Sequence, residues 1–140
     1  MSADIIEGLI VFLQADIPLA ALVGTRVFGN ELPRAEDDSM ARKAVVLQPS
    51  GGPILMGGSY VRHTSQRFDI FSYGETVFQC QRVSRAVFDA LKQLQRSVSA
   101  GVLIHWVDPA GGFANIRDPD ARWPINFQSF QAFYAEEAAA

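Results

Sequence analysis

The chain has 140 residues, a mass of 15.3 kDa, and 12 basic against 15 acidic residues, for a formal net charge of −3. This length fits one domain, residues 1–140, with a core of its own. The single cysteine, Cys80, excludes an internal disulfide framework and a cysteine-cluster metal site. The acidic balance excludes a simple electrostatic nucleic-acid binder. The apolar runs are too short for a membrane span, and no basic segment precedes Ile5, so we expect no signal peptide.

Two helices are predicted at the start of the chain. Ser2 is a candidate N-cap for the first helix, whose apolar positions recur at helical spacing: Ile5, Ile6, Leu9, Phe12 and Leu13. Asp16 is the candidate cap of a second, shorter helix that stops at Gly24. A short strand at residues 26–28 and a loop at residues 31–43 follow.

The next thirty residues predict a long β-hairpin. Residues 44–48 form its first strand, and four glycines and two prolines make residues 49–59 a turn or mobile loop. The second strand spans residues 60–73. Its first half, residues 61–67, is polar on both faces, whereas residues 68–71 are apolar enough to lie in a sheet. Because the outer half of this hairpin has no core face, we expect it to project from the body as an arm.

A capping box, Thr76 with Gln79, opens the most clearly marked helix. The helix has an apolar stripe and a charged face, and Gly101 follows its end. The stripe consists of Val77, Cys80, Val83, Val87, Leu91 and Leu94, and the charged face of Arg82, Arg85, Asp89, Lys92 and Arg96.

The last part of the chain predicts antiparallel strands. Residues 102–107 form an apolar strand, residues 108–112 turn it, and residues 113–116 pair back. The last strand, residues 122–134, changes its apolar face near Ser129, which suggests a bulge or kink there. The whole order predicts an α+β fold. This is a two-layer domain with a mostly antiparallel sheet of four to five strands, two main helices and the projecting β-hairpin arm.

No catalytic, metal or cofactor site is predicted. The glycines around residues 51–58 lack the Lys and Ser or Thr that a phosphate-binding loop requires. His63 and His105 are far apart in sequence and have no carboxylate at helical offset, so they make a poor metal set. Cys80 falls on an apolar stripe, where a free cysteine is commonly a buried small hydrophobe.

Two segments resemble a known family. Residues 18–28 (PLAALVGTRVF) are similar to the opening of the tail-completion, or tail terminator, family of long-tailed phages, in which an N-terminal helix leads into a short turn and a first strand. Residues 67–73 (RFDIFSY) and the helix behind them look like the family's central strand-then-helix block. The resemblance covers most of residues 5–134. The acidic loop at residues 31–43 is longer than the family leads us to expect.

The resemblance implies a structural role and no enzyme activity. Family members close into a ring, usually a hexamer, on the head-proximal end of the tail tube. The ring stops tube polymerisation and offers a surface for joining the head. The implied partners are further copies of the chain, the tail tube protein and the neck or head-connector proteins, and DNA passes through without specific binding. The implied location is the head–tail junction of a virion made in the bacterial cytoplasm, from a phage or a gene transfer agent.

Two groups of residues are candidates for these contacts. Exposed apolar residues at the arm tip, Ile54, Leu55 and Met56, would anchor a neighbouring subunit or the tube, together with Arg62 and Arg67 behind them. If the ring encircles DNA, its lumen should repel phosphate, and the densest acidic segment supplies the channel candidates Glu31, Glu36, Asp37 and Asp38.

Three other interpretations stay open from the sequence. The chain could be another neck component such as a head-completion connector. It could be a small cellular module that binds a protein partner through the arm. It could be a small enzyme that uses Cys80 or His105, although no motif supports this.

Overall fold

The computed structural model describes residues 4–29, 43–50, 54–55, 63–117 and 123–135. These ranges contain three helices and seven strands. The helices are α1 (Ile5–Ala15), α2 (Ile17–Val23) and α3 (Val77–Lys92). The strands are β1 (Val27–Gly29), β2 (Ala44–Pro49), β3 (Ile54–Leu55), β4 (His63–Tyr73), β5 (Ser97–Ser99), β6 (Val102–Arg117) and β7 (Pro124–Ala135).

Side-chain caps begin each helix. Asp4 is the N-cap of α1 and accepts a hydrogen bond from the Ile6 amide at 2.9 Å, so the cap lies two residues later than the predicted Ser2, which is outside the described ranges. Asp16 caps α2 as predicted, accepting from the Leu19 amide at 3.1 Å. Gly24, with a φ of 61°, ends α2 because glycine adopts the left-handed region without strain.

The predicted capping box of α3 is present in a modified form. The Thr76 hydroxyl accepts from the Gln79 amide at 3.2 Å, whereas the Gln79 side chain accepts from the amide of Glu75 at 3.0 Å. The apolar stripe is buried from Cys80 onwards, but Val77 at the first position is 38% exposed.

The strands form one mostly antiparallel sheet in the order β1-β2-β4-β7-β6-β5, and β3 also pairs with β4. The α+β class therefore agrees with the prediction. The sheet has seven described strands rather than four or five, and the β1–β2 pair is parallel. Helix α1 contacts both β1 and β5, so the two ends of the sheet approach each other across it. Gly8 permits this approach, since a Cβ there would lie 2.9 Å from the Ser99 carbonyl oxygen.

Apolar clusters lie on both faces of the sheet. The main core fills the space between the sheet and the three helices, with Leu9, Leu13, Phe68, Ile70, Leu91 and Phe130 among its fully buried or nearly buried members. A smaller cluster on the opposite face contains Ala44, Val46, Tyr73, Trp123 and Ile125. Strands β2, β4 and β7 therefore bury different residues on their two faces, which explains why apolar residues occupy both phases of β7.

Strand β7 is regular at Ser129, where a bulge was predicted. Its register with β4 is unbroken from Tyr73↔Ile125 to His63↔Ala135. The irregularities lie in the pairing of β6 with β7. One register shift falls between Ile104 and Trp106, and two more, between Pro109 and Gly111 and between Gly111 and Ala114, flank the Gly111↔Ser129 pair. The turn predicted at residues 108–112 is therefore wrong. Bulges absorb Pro109 and the positive φ of Gly111, and β6 continues as one strand.

The prediction of a projecting arm is wrong at its base. Residues 63–67 of β4 pair with β7 throughout, and Ser65 and Gln66 are buried. Hydrogen bonds make this burial possible, because the Gln131 side-chain amide donates to the Ser65 hydroxyl at 3.0 Å and the Gln66 side-chain amide donates to the Arg67 backbone carbonyl at 2.8 Å. The polar residues of segment 61–67 predict a strand without a core face, but the structure buries two of them. Residues 56–62 lie outside the described ranges.

Candidate functional site

The two residues considered for a small enzyme, Cys80 and His105, lie on α3 and β6. The Cys80 thiol is fully buried and donates a hydrogen bond to the Pro124 carbonyl at 3.1 Å. Burial raises its pKa from 9.0 to about 11, which disfavours the nucleophilic thiolate. The His105 ring is half-buried and packs against Trp106 and Phe133, with ring centroids 6.1 and 5.3 Å away.

Within the described ranges, no group of three or more His, Cys, Asp or Glu side chains could hold a metal ion. The same ranges contain no single helix long and apolar enough to cross a membrane. Helices α1 and α2 pass that test of length and composition only as a pair, and they are bent by 88°.

The structure describes only part of the arm contact set. Ile54 and Leu55 form β3, whose backbone pairs with Ser65 and Thr64 of β4. Met56 and Arg62 lie outside the described residues, as do the channel candidates Glu31, Glu36, Asp37 and Asp38. Their assignments stay predictions.

Arg67 is exposed on the face of the sheet opposite the helices, where it lines a shallow depression of about 280 Å³. The depression also contains a polar cluster. Asp69 accepts hydrogen bonds from the hydroxyls of Ser129 at 2.6 Å and Ser50 at 3.0 Å. The Ser50 amide donates to the Arg67 carbonyl at 2.9 Å. These hydrogen bonds hold the end of β2 against β4 and β7, immediately before the predicted arm. Arg67 therefore lies on a part of β4 that hydrogen bonds fix in place.

A groove between α3 and β6 was missed by sequence reasoning. It consists of two neighbouring cavities of about 450 and 350 Å³, which share Phe88 and Lys92. The larger is lined by Gln81, Ser84, Arg85, Phe88, Asp89, Lys92, Phe113 and Gln128. Apart from the two shared residues, the smaller is lined by Leu91, Leu94, Gln95, Trp106, Val107, Asp108, Pro109 and Phe130. The charged face of α3 was visible in the sequence. The position of this face beside β6 was not visible, because a turn at residues 108–112 would end the strand that forms the opposite wall of the groove.

Exposed apolar side chains collect along the β5–β6 end of the sheet. Trp106, Phe113 and Ile116 of β6 are 47%, 59% and 48% exposed, and Val98 of β5 is 61% exposed. The Trp106 ring stacks on Phe133, with centroids 4.6 Å apart and planes within 16°. β5 pairs with β6 only at Val102–Ile104, so no strand in the described ranges pairs with the outer edge of β6 beyond this point. Exposed apolar residues beside an open strand edge are typical of an interaction surface.

Comparison with solved structures identifies the fold. The chain is similar to a chain in the structure titled "Virion of native gene transfer agent (GTA) particle", with a TM-score of 0.69 and 21% identity over 94% of each chain. At this identity the similarity shows a shared fold. No family model and no curated protein matches the sequence.

Proposed function

We propose that the protein is a structural component of a virion, of the kind found in long-tailed phages and gene transfer agents. The observation that carries this proposal is the similarity of fold to a chain of a gene transfer agent virion over 94% of both chains. Coverage of this extent concerns the whole described architecture rather than one motif.

More specifically, we propose that the protein is the tail terminator. Copies of the chain form a ring, expected to be a hexamer, on the head-proximal end of the tail tube, stop its polymerisation and provide the surface for joining the head. The motif at residues 18–28 supports this role, because it lies on α2 and β1, the helical turn and first strand that the family resemblance implies. The segment 67–73 lies in β4 directly before α3, which agrees with the strand-then-helix block. The protein would be made in the bacterial cytoplasm and reside at the head–tail junction.

The exposed apolar side chains of β5 and β6 also support a role in assembly. An isolated subunit leaves Trp106, Phe113 and Ile116 in water, which costs free energy that contact with a partner recovers. A ring repeats one heterologous interface until it closes.

Assembly of the purified protein tests the ring. Light scattering at high and low concentration, followed by negative-stain imaging with and without purified tail tubes, should show closed rings that bind one end of each tube. Rings that bind the neck or portal instead of the tube would identify a connector rather than a terminator. A monomer under every condition would contradict the ring.

A further inference from the structure

Helix α3 makes different contacts in its two halves. The second half, residues 85–92, contributes three buried side chains to the main apolar core: Val87, Ala90 and Leu91. The first half, residues 77–84, contributes Val83 to that core. Its first turn leaves Val77 and Phe78 exposed, Phe78 by 74%. The apolar contacts that hold α3 on the sheet are therefore concentrated in its second half.

The sheet beneath the first half of α3 is polar. Ser72 of β4 and Asn126 of β7 are fully buried and lie opposite each other in the register of these strands. Alternate residues of a strand share a face, so Ser72 faces the helices together with Ile70 of the main core. Asn126 does so together with Gln128, whose side-chain oxygen accepts a hydrogen bond from the Ser84 hydroxyl of α3 at 3.4 Å. We call these four polar side chains the polar layer: Ser72, Ser84, Asn126 and Gln128.

The polar layer is incompletely hydrogen-bonded. Within the part of the chain that the structure describes, Ser72 Oγ and Asn126 Oδ1 are buried without a hydrogen-bond partner. The side-chain nitrogen of Asn126 donates to Asn115 Oδ1 at 3.1 Å, which leaves the Asn126 oxygen unused. A buried polar atom without a partner raises the free energy of the packed state relative to a state in which water reaches that atom. Hydration of these two atoms therefore offsets part of the apolar contact that an opening of the first half would lose.

We propose that residues 77–84 of α3 form a separately opening unit, which leaves the polar layer while residues 85–92 stay packed on the sheet. Native proteins open locally where few apolar contacts are buried, and the ends of helices are such places. Gln81 and Ser84 belong to the unit and line the larger cavity of the groove between α3 and β6, so the opening changes one wall of that groove. The inference goes beyond the proposed function, because it concerns the isolated subunit and requires neither a ring nor a tail tube.

The thiol of Cys80 provides the test. Cys80 is the only cysteine of the chain, and it is fully buried in the first half of α3. A disulfide-exchange reagent added to dilute folded subunit therefore reaches it when residues 77–84 open or when the whole chain unfolds. The reaction should be at least about tenfold faster than the global unfolding equilibrium allows. Low concentrations of urea should change its rate little, because the opening of so short a segment exposes little surface.

A thiol in the second half of α3 is the matched control. In a Cys80→Ala background, Ala90→Cys places the only thiol at a position that is 2% exposed. This thiol should react no faster than global unfolding of the same variant allows, as measured by chemical denaturation. Comparing each protein with its own free energy of unfolding removes the effect of the substitutions on overall stability.

Substitutions in the polar layer test the cause of the opening. Ser72→Ala with Asn126→Leu removes both unpaired atoms, and Cys80 should then react at least about tenfold more slowly at low denaturant. Ser72→Ala alone should slow the reaction in the same direction, which keeps the test valid if the double variant folds poorly. Ser65→Ala makes the same chemical change at a buried residue of β4 outside the polar layer, and it should leave this rate unchanged.

Each possible result supports or overturns the proposal. Reaction of Cys80 no faster than global unfolding allows would overturn the separate unit. The same excess rate for Cys80 and for the Ala90→Cys thiol would mean that α3 opens as a whole, and this also contradicts the proposal. An unchanged rate in both Ser72 variants would show that the polar layer does not cause the opening. The measurements use the isolated subunit, so the ring proposal stands or fails independently.

Discussion

Cys80 is a packing residue whose environment makes its chemistry testable. Its thiol is fully buried on α3 and donates to the Pro124 carbonyl at 3.1 Å, which ties the helix to the start of β7. Serine keeps a hydrogen-bond donor at this position. It buries a hydroxyl that is more polar than the thiol, and its Cβ–O bond is shorter than the Cβ–S bond that it replaces. Cys80→Ser should therefore lower the free energy of unfolding by about 1–3 kcal/mol, measured by chemical denaturation, and leave assembly intact at permissive temperature. A stable variant without function would restore the enzyme interpretation.

The same thiol gives a pH dependence of known sign. Because its pKa rises from 9.0 to about 11 on folding, the folded state binds the proton more tightly than the unfolded state does. The corresponding stability is present below pH 9 and is lost as the pH rises towards 11. The Cys80→Ser variant should lack this component of the alkaline transition, which a denaturation series across that range would measure.

At the scale of elements, the sequence predicts the helices, but it does not predict the course of β6 or the burial of the outer part of β4. Caps and apolar periodicity are local signals, so the sequence predicts α1, α2 and α3 close to the positions that the structure shows. The continuation of β6 through Pro109 and Gly111 depends on bulges opposite β7, and the burial of Ser65 depends on a hydrogen bond from Gln131. Both are contacts between residues distant in sequence, and local polarity or turn propensity cannot predict them.

The arm tip provides the prediction at this scale. Replacing Ile54, Leu55 and Met56 by Ser, Gly and Ser keeps the chain length, and β3 contributes only two residues of pairing to the sheet. If these side chains anchor a neighbour or the tail tube, the isolated variant should melt near the wild-type temperature while ring formation or tube joining is lost. A large fall in melting temperature, or normal assembly, would mean that the partner site lies elsewhere.

At the scale of the whole molecule, charge is distributed unevenly. The chain carries a net charge of −3, yet the exposed face of α3 is basic, with Arg82, Arg85 and Lys92 against Asp89. A sequence shows how many charges each segment carries, and the fold determines which of them share a surface. The candidate groove was therefore beyond sequence reasoning, whereas the acidic segment at residues 31–38 was evident from composition alone.

That acidic segment gives the prediction for the assembled particle. Cations lining a ring through which DNA passes would pair with phosphates and retain the DNA, so the lumen should be acidic. Changing Glu36 and Asp37 to Lys should leave ring formation unchanged and slow DNA passage, measured as reduced infectivity or gene transfer by particles with normal morphology. The matched control changes Glu136 and Glu137 to Lys, which alters the net charge equally near the C-terminus. Normal DNA delivery by the Glu36 and Asp37 variant would show that this segment lies away from the channel.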